Sequence, residues 1–119
     1  MINTTTRRLR WPSFLMLIIF AAACAASSPD YQAVLTNPER PDAERNLDPV
    51  RKPQEVMSFY GVKRGDKVAD LFAARGYYTA VLSQLVGPEG VVYAANSAPR
   101  PELHERVKHP SMRNVRVID

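Results

Sequence analysis

The sequence contains a single cysteine, Cys24, among 119 residues. One cysteine excludes an internal disulfide framework and a cysteine-rich zinc site. The sequence also has no internal repeat and no Ser-His-Asp or Cys-His arrangement of the kind that nucleophilic catalysis uses. With 45% hydrophobic and 24% charged residues, the composition is that of an ordinary globular protein. The length allows one domain at most.

The chain also has almost no net charge after its first ten residues. The net charge is +4, but three of the 16 basic residues, Arg7, Arg8 and Arg10, precede the first apolar run. The other 13 basic residues (16 less 3) stand against 12 acidic ones. Because the body of the protein is nearly neutral, we predict no nucleic-acid partner.

A long apolar run is absent too. The longest, Phe14–Ala26, has 13 residues, which is short of the roughly 20 that a membrane-spanning helix needs. Basic residues before it and small residues at its end are typical of an export signal, which we assign to residues 1–26. A buried N-terminal helix is the alternative, but the run has no polar face with which to meet water.

Cys24 lies in Ala21-Ala-Ala-Cys24-Ala25, which resembles the box at which bacterial lipoprotein signals are cut, leaving a lipidated cysteine. Ala21 stands where Leu is usual. The alternative is ordinary cleavage in an A-x-A context, which would remove Cys24. Both readings predict an exported protein, either in the periplasm or as a membrane-anchored lipoprotein of a bacterial envelope. The membrane is then a partner only through the signal or a lipid on Cys24.

Residues 27–52 are rich in proline, with Asp, Glu, Asn and Arg between the prolines. Proline removes a hydrogen-bond donor and biases its predecessor away from helix. We therefore predict an extended arm, with one helical turn possible near Tyr31–Leu35. Its role is open between a spacer and a lid.

Residues 53–119 alternate between strand and helix patterns, which predicts an α/β fold with a parallel sheet. A short helix begins at Pro53 and stops at Gly61. The pattern then gives strands near Lys67–Phe72, Gly90–Ala95 and Val115–Ile118, with helices near Tyr78–Val86 and Pro101–Lys108. The second strand carries no charge, as strands covered on both faces tend to be.

An acidic residue, Asp70, precedes the turn after the first strand, and Gly76 follows the turn. This order resembles the first motif of class I S-adenosylmethionine-dependent methyltransferases, and in particular a bacterial group of exported predicted methyltransferases. The resemblance spans about 70 residues: Asp48–Val56, Phe59–Gly65, the turn, Tyr77–Thr79, Val86–Gly90 and Val92–Asn96. It implies a Rossmann-like parallel sheet with flanking helices, here limited to about three strands.

The resemblance implies S-adenosylmethionine as cofactor and Asp70, Ala74, Gly76 and Asn96 as cofactor-binding residues. Asp70 would lie near the methionine amino group and Asn96 near the ribose hydroxyls. Phe72 and Ala74 stand where glycines are common, and a bare backbone lets a turn approach a ligand closely. These two residues therefore weaken the expected cofactor binding.

Each of these residues also has a purely structural interpretation. Asp70 could cap the following turn, and Gly76 could serve only helix entry. Asn96 could make simple turn contacts, and Tyr77 and Tyr78 could pack the helix. No residue is assigned as catalytic, and no metal site is predicted.

His104 and His109 are assigned to solvent, because no acid or cysteine lies at metal-ligand spacing from them.

Three functions follow from these patterns. The first is the N-terminal, cofactor-binding half of a methyltransferase, with this chain incomplete, inactive alone and the methyl acceptor unknown. The second is a non-catalytic envelope module that reuses the fold. The third, another nucleotide-binding enzyme, is disfavoured because the acid precedes the turn.

The export signal predicts the mass of the mature N-terminus. If Cys24 is lipidated, mass spectrometry of protein from a bacterial envelope should find a diacylglyceryl group on Cys24, and the protein should partition into detergent. An unmodified N-terminus at Ala26 would indicate ordinary cleavage. Mature protein that keeps Met1 and lies outside the envelope would contradict export.

Overall fold

The computed structural model describes Met1 and residues 30–119. The predicted export signal and Cys24 lie outside these residues, and both stay predictions. Within the described part of the chain, no helix is long and apolar enough to cross a membrane.

Three strands form one parallel sheet in the order β1-β2-β3. They are β1 (Lys67–Leu71), β2 (Val91–Ala95) and β3 (Val115–Ile118). The helices are α1 (Tyr31–Leu35), α2 (Asp42–Arg45), α3 (Asp48–Arg51), α4 (Pro53–Tyr60), α5 (Tyr77–Val86) and α6 (Pro101–Arg106), and a 3₁₀ turn covers Pro110–Met112. The predicted α/β fold with three parallel strands is confirmed, with strand and helix ends shifted by one or two residues.

Helix α5 forms the core together with one face of the sheet. Eight of its ten residues are buried, and they pack with Val92, Ala94 and Val115, which alternate toward the same face. Strand side chains alternate between faces, so the neighbouring positions point the other way. Leu71 is 70% exposed and Tyr93 is 37% exposed. The expectation that β2 is covered on both faces is therefore wrong for the described residues, because their helices cover one face.

Buried hydrogen bonds tie the C-terminal end of α5 to the start of β3. Asn114 Nδ2 donates to the carbonyls of Ser83 at 2.9 Å and Gly87 at 2.8 Å. The Ser83 hydroxyl donates to Asn114 Oδ1 at 2.6 Å. Because α5 runs antiparallel to the strands in a β-α-β crossover, its N-terminal end lies at the edge where the strands end.

The segment that was predicted to be an extended arm contains three short helices, α1 to α3, and the prediction is wrong for residues 30–52. Proline does not prevent α2 and α3, since it stands at their starts. Pro41 is the N-cap of α2, and Pro49 lies in the first turn of α3, where an amide hydrogen has no helical acceptor anyway. The helical turn predicted near Tyr31–Leu35 is confirmed as α1.

An ion pair holds this segment in place. Arg40 is 3% exposed, and its Nη1 and Nη2 each donate to an oxygen of Asp48 at 2.8 Å. Arg40 Nη1 also donates to the Leu35 carbonyl. Asp48 accepts a further hydrogen bond from the Tyr77 hydroxyl on α5, at 2.5 Å. One carboxylate thus joins the N-terminal segment to the start of α5.

The hydrogen bonds from Arg40 lower the pKa of Asp48 below its ordinary value of 3.8. A lowered folded-state pKa contributes stability above 3.8, and that stability is lost as the pH falls through the folded-state value. We expect Asp48→Asn to lower the free energy of unfolding by about 1.5–3 kcal/mol at pH 7, and the difference from wild type to shrink below pH 4. Urea titrations from pH 3 to 7 measure it.

Asp42→Asn is the matched control, because the Asp42 carboxylate pairs with Arg45 while its side chain is 85% exposed. That variant should change stability little at any pH. A loss in Asp48→Asn that is equal at pH 3 and pH 7 would contradict the charge-based role of Asp48.

Candidate functional site

The candidate site is the turn after β1, residues 72–76, at the carboxyl ends of the strands. Two hydrogen bonds attach it to the end of β2. Ala73 N donates to the Ala95 carbonyl at 3.0 Å, and Ala74 N donates to Asn96 Oδ1 at 2.8 Å. In open parallel sheets this edge is where ligands bind.

The turn has the backbone of a glycine-rich loop, although only one of its residues is glycine. The φ angles are 62° at Phe72, 51° at Ala74 and 87° at Gly76. A left-handed conformation costs a residue with a Cβ roughly 1–2 kcal/mol. The Phe72 side chain is 80% exposed, so burial of its ring does not offset this cost. The chain keeps a conformation that glycine would adopt without strain.

Gly76 has a second reason to be glycine. It is the N-cap residue of α5, and the helix has no side-chain hydrogen bond at this cap. A Cβ at this position would lie 2.8 Å from Leu103 Cδ1 on α6. The structural interpretation of Gly76, entry into a helix packed against its neighbour, therefore has a direct physical basis. It does not exclude a ligand at the same backbone.

Asp70 lies near the end of β1 and is half-buried. It accepts a hydrogen bond of 2.6 Å from the hydroxyl of Thr79, in the first turn of α5. Burial raises the pKa of Asp70 above its ordinary value, and the bond from Thr79 opposes that rise. Asp70 also borders a groove of about 580 Å³, which is lined mainly by apolar side chains of α4, β1 and α5. It can therefore cap α5 and still face a ligand.

Asn96 follows β2 and contacts the turn. Its Oδ1 accepts a hydrogen bond from the amide of Ala74, 22 residues away in the chain, which is a long-range contact and not the local turn contact of the structural interpretation. Its Nδ2 is buried and has no hydrogen-bond partner among the described residues. An unsatisfied buried donor is costly, and the Asn96 side chain therefore lowers the stability of the free protein.

Tyr77 and Tyr78 pack the N-terminal segment against α5. The Tyr77 ring is buried and its hydroxyl binds Asp48, while the Tyr78 hydroxyl donates to the Arg51 carbonyl at 2.7 Å. The two rings meet edge to face with centroids 5.0 Å apart. Burial, followed by the bond to Asp48, raises the pKa of Tyr77 well above its usual range. The packing interpretation of both tyrosines is the one that these contacts favour.

The predicted residues border two different cavities. Asp70 lines the groove beside α4, whereas Ala74 lines a cleft of about 490 Å³ between the N-terminal segment and the turn. Arg51 and Arg100 also line this cleft. Sequence reasoning missed both arginines, because Arg51 falls in the segment that was expected to be an extended arm.

The two histidines lie apart from the turn cavities. His104 is half-exposed and binds the Asp119 carboxylate. Since it has an acidic partner, its assignment to solvent alone is incomplete. His109 is exposed, and its Nδ1 lies 2.7 Å from the Ser111 hydroxyl.

Comparisons with known proteins bear on the fold of the chain. No protein-family model matches the chain. Over 59 residues, 48% of this chain, it is 41% identical to a protein-L-isoaspartate O-methyltransferase of Ignicoccus hospitalis. A crystal structure of a SAM-dependent methyltransferase from Aquifex aeolicus matches 66% of the chain with 31% identity and a TM-score of 0.53. Another protein-L-isoaspartate O-methyltransferase structure matches 56% of the chain at the same TM-score with 23% identity, which supports the fold.

The described residues have the fold of the S-adenosylmethionine-dependent methyltransferases, as the resemblance implied. The chain spans 28% of the Ignicoccus protein and 46% of the Aquifex chain. Activity, acceptor and membership of an exported group therefore belong to the proposals below.

The raised pKa of Asp70 predicts the pH dependence of Asp70→Asn. The folded state holds the carboxyl proton more tightly than the unfolded state, so wild-type stability falls as the pH rises from 3.8 through the raised value. Asn has a similar shape, keeps an acceptor for Thr79 and carries no charge. We expect Asp70→Asn to raise the melting temperature at pH 7 and to leave it unchanged near pH 3.

Asp66→Asn is the control, because Asp66 borders the same groove and accepts from the exposed Lys63 amide. Thermal melts at pH 3, 5 and 7 compare the two variants. A melting temperature of Asp70→Asn that is lower than wild type at every pH would show that the carboxylate is needed to stabilise the start of α5.

Proposed function

We propose that this chain binds S-adenosylmethionine at the turn after β1 and forms the cofactor-binding part of a methyltransferase. The observation that carries the proposal is the left-handed backbone of the turn at Phe72 and Ala74. This turn lies between Asp70 of β1 and Asn96, which follows β2. Strain of this kind persists where the surrounding structure holds it and is frequent at binding sites. The similarity of the chain to methyltransferases supports the same function.

Four residues would hold the cofactor. Asp70 would accept from the methionine amino group through the groove that it borders. Asn96 would donate its unpartnered Nδ2 to a ribose oxygen, a donor role that differs from the acceptor role of the acid usual at this position. Ala74 and Gly76 would contribute backbone. When bound, the cofactor supplies an activated methyl group on sulfur.

The methyl acceptor is proposed only as a chemical class. The Ignicoccus protein is named for O-methylation of an isoaspartate residue, and that similarity favours a carboxylate oxygen as acceptor here. No described residue is assigned as catalytic.

Export of the protein, lipidation of Cys24, a place in the bacterial envelope and membership of the exported methyltransferase group remain part of this proposal. They are supported by the basic residues and the apolar run of the N-terminus. A second function is that of a non-catalytic envelope module. It is favoured by the side chains of Phe72 and Ala74, which stand where a bare backbone would let a ligand approach, and by the hydrogen bond that Asp70 already accepts from Thr79. Export also separates the protein from the cytosol, where S-adenosylmethionine is made.

Glycine substitution separates the two functions. We expect wild type to bind S-adenosylhomocysteine weakly, and Phe72→Gly and Ala74→Gly to bind it more tightly, because a bare backbone lets the ligand approach. Asp70→Ala should weaken binding by about 10-fold or more, since it removes a charged hydrogen bond. Titration calorimetry measures all four proteins.

Ala33→Gly is a matched control, because Ala33 is exposed on α1. It should leave affinity unchanged. No binding in wild type and in both glycine variants would favour the envelope module, and unchanged binding in Asp70→Ala would remove Asp70 from the site.

A further inference from the structure

Arg51 has a fixed position in the cleft between the N-terminal segment and the turn. Its carbonyl accepts from the Tyr78 hydroxyl, and its guanidinium lies 4.4 Å from the centroid of the Tyr77 ring. Stacking on an aromatic face restricts an arginine and leaves its N–H donors free at the edge of the guanidinium plane. Among residues 30–119, Arg51 has no ion-pair partner.

The cleft carries excess positive charge. Its lining includes Arg51, Arg75 and Arg100 and two acids, Glu44 and Glu102.

Both acids already have basic partners. Glu44 is paired with Arg106, whose Nη2 donates to Oε2 at 2.9 Å, and Glu102 lies 3.7 Å from Arg75. Arg51 and Arg100 are left without an acid in the described part of the chain.

The other strongly basic group nearby is different in kind. Arg40 is buried, and both of its terminal nitrogens are committed to Asp48, so it holds the segment in place. The Arg51 guanidinium lies over the Tyr77 ring, and the Arg51 backbone carbonyl accepts from the Tyr78 hydroxyl. Neither contact neutralises the charge of the guanidinium. Positioning without neutralisation is the arrangement expected of a guanidinium that meets a ligand anion.

We propose that the cleft binds a carboxylate group through Arg51 and Arg100. A guanidinium matches the two oxygens of a carboxylate with parallel N–H bonds, and the positive end of the α5 dipole lies at the same cleft, where Tyr77 begins the helix. The carboxylate belongs either to the amino-acid end of the cofactor or to the methyl acceptor. The identity of the ligand, but not the presence of the anion site, rests on the function proposed above.

Three ligands distinguish these sources on the full chain. S-adenosylhomocysteine carries the amino-acid carboxylate, 5′-methylthioadenosine lacks it, and succinate stands for an acidic acceptor. Each is titrated by calorimetry, or by amide chemical shifts for succinate, into wild type, Arg51→Gln and Arg100→Gln. Arg113→Gln, at an exposed arginine away from the cleft, is the control.

If the cofactor supplies the carboxylate, both variants should weaken S-adenosylhomocysteine by about 10-fold or more and leave 5′-methylthioadenosine unchanged. If the acceptor supplies it, both nucleosides bind as in wild type, and succinate shifts at the cleft are lost in the two variants. Affinities for all three ligands that equal wild type would overturn the proposal.

Failure of the proposed function has a different signature. Neither nucleoside would then bind wild type, while succinate would still report on the cleft. The amide spectrum of each variant shows whether it has folded. If Arg51→Gln loses its fold, Arg100→Gln decides the outcome, because Arg100 lies in the exposed segment before α6 and makes no side-chain bond within the described residues.

Discussion

The carboxylate of Asp48 is the contact on which the arrangement around the turn depends. It neutralises the buried guanidinium of Arg40 and accepts from the Tyr77 hydroxyl. A buried cation without its counter-ion is strongly destabilising, so the ionised carboxylate helps to keep the segment from α1 to α3 in place, together with the ion pair of Glu44 and Arg106. That segment supplies one wall of the cleft, including Arg51. The cleft between this segment and the turn thus depends in part on an ion pair whose members are eight residues apart.

The elements around β1 follow from local patterns, and the sequence predicts them well. Helix α5 has apolar residues at helical spacing between Gly76 and Gly87, and the three strands are short segments with apolar residues at alternate positions. Helices α2 and α3 have no such pattern, since each is four residues long and has no buried residue. Long-range contacts hold them: Glu44 of α2 pairs with Arg106, 62 residues further along the chain, and Asp48 of α3 accepts from Tyr77, 29 residues further along. A pairing of that range leaves no periodic signal in the sequence.

The site shows the same division between local and long-range information. The order of Asp70 and Gly76 around the turn is a local pattern, and it identifies where the turn lies. The partners of these residues are set by the tertiary structure. Asp70 meets Thr79 on the next helix, and Asn96 meets the amide of Ala74, which is 22 residues away. The positively charged cleft could not be predicted, because its arginines come from segments on both sides of the turn.

Several energetic costs are concentrated at this one edge of the sheet. Phe72 and Ala74 hold left-handed backbone, the Asp70 carboxylate is partly desolvated, and Asn96 leaves a buried donor unpaired. Each lowers the stability of the free protein, and folding alone gives no reason to keep them together. A ligand with an ammonium group for Asp70 and a hydroxyl oxygen for Asn96 would offset the costs at these two residues. A carboxylate on the same ligand would pair with the charge of Arg51, which has no acidic partner in the described part of the chain. The distribution of cost therefore argues for a binding site at the turn independently of any similarity to other proteins.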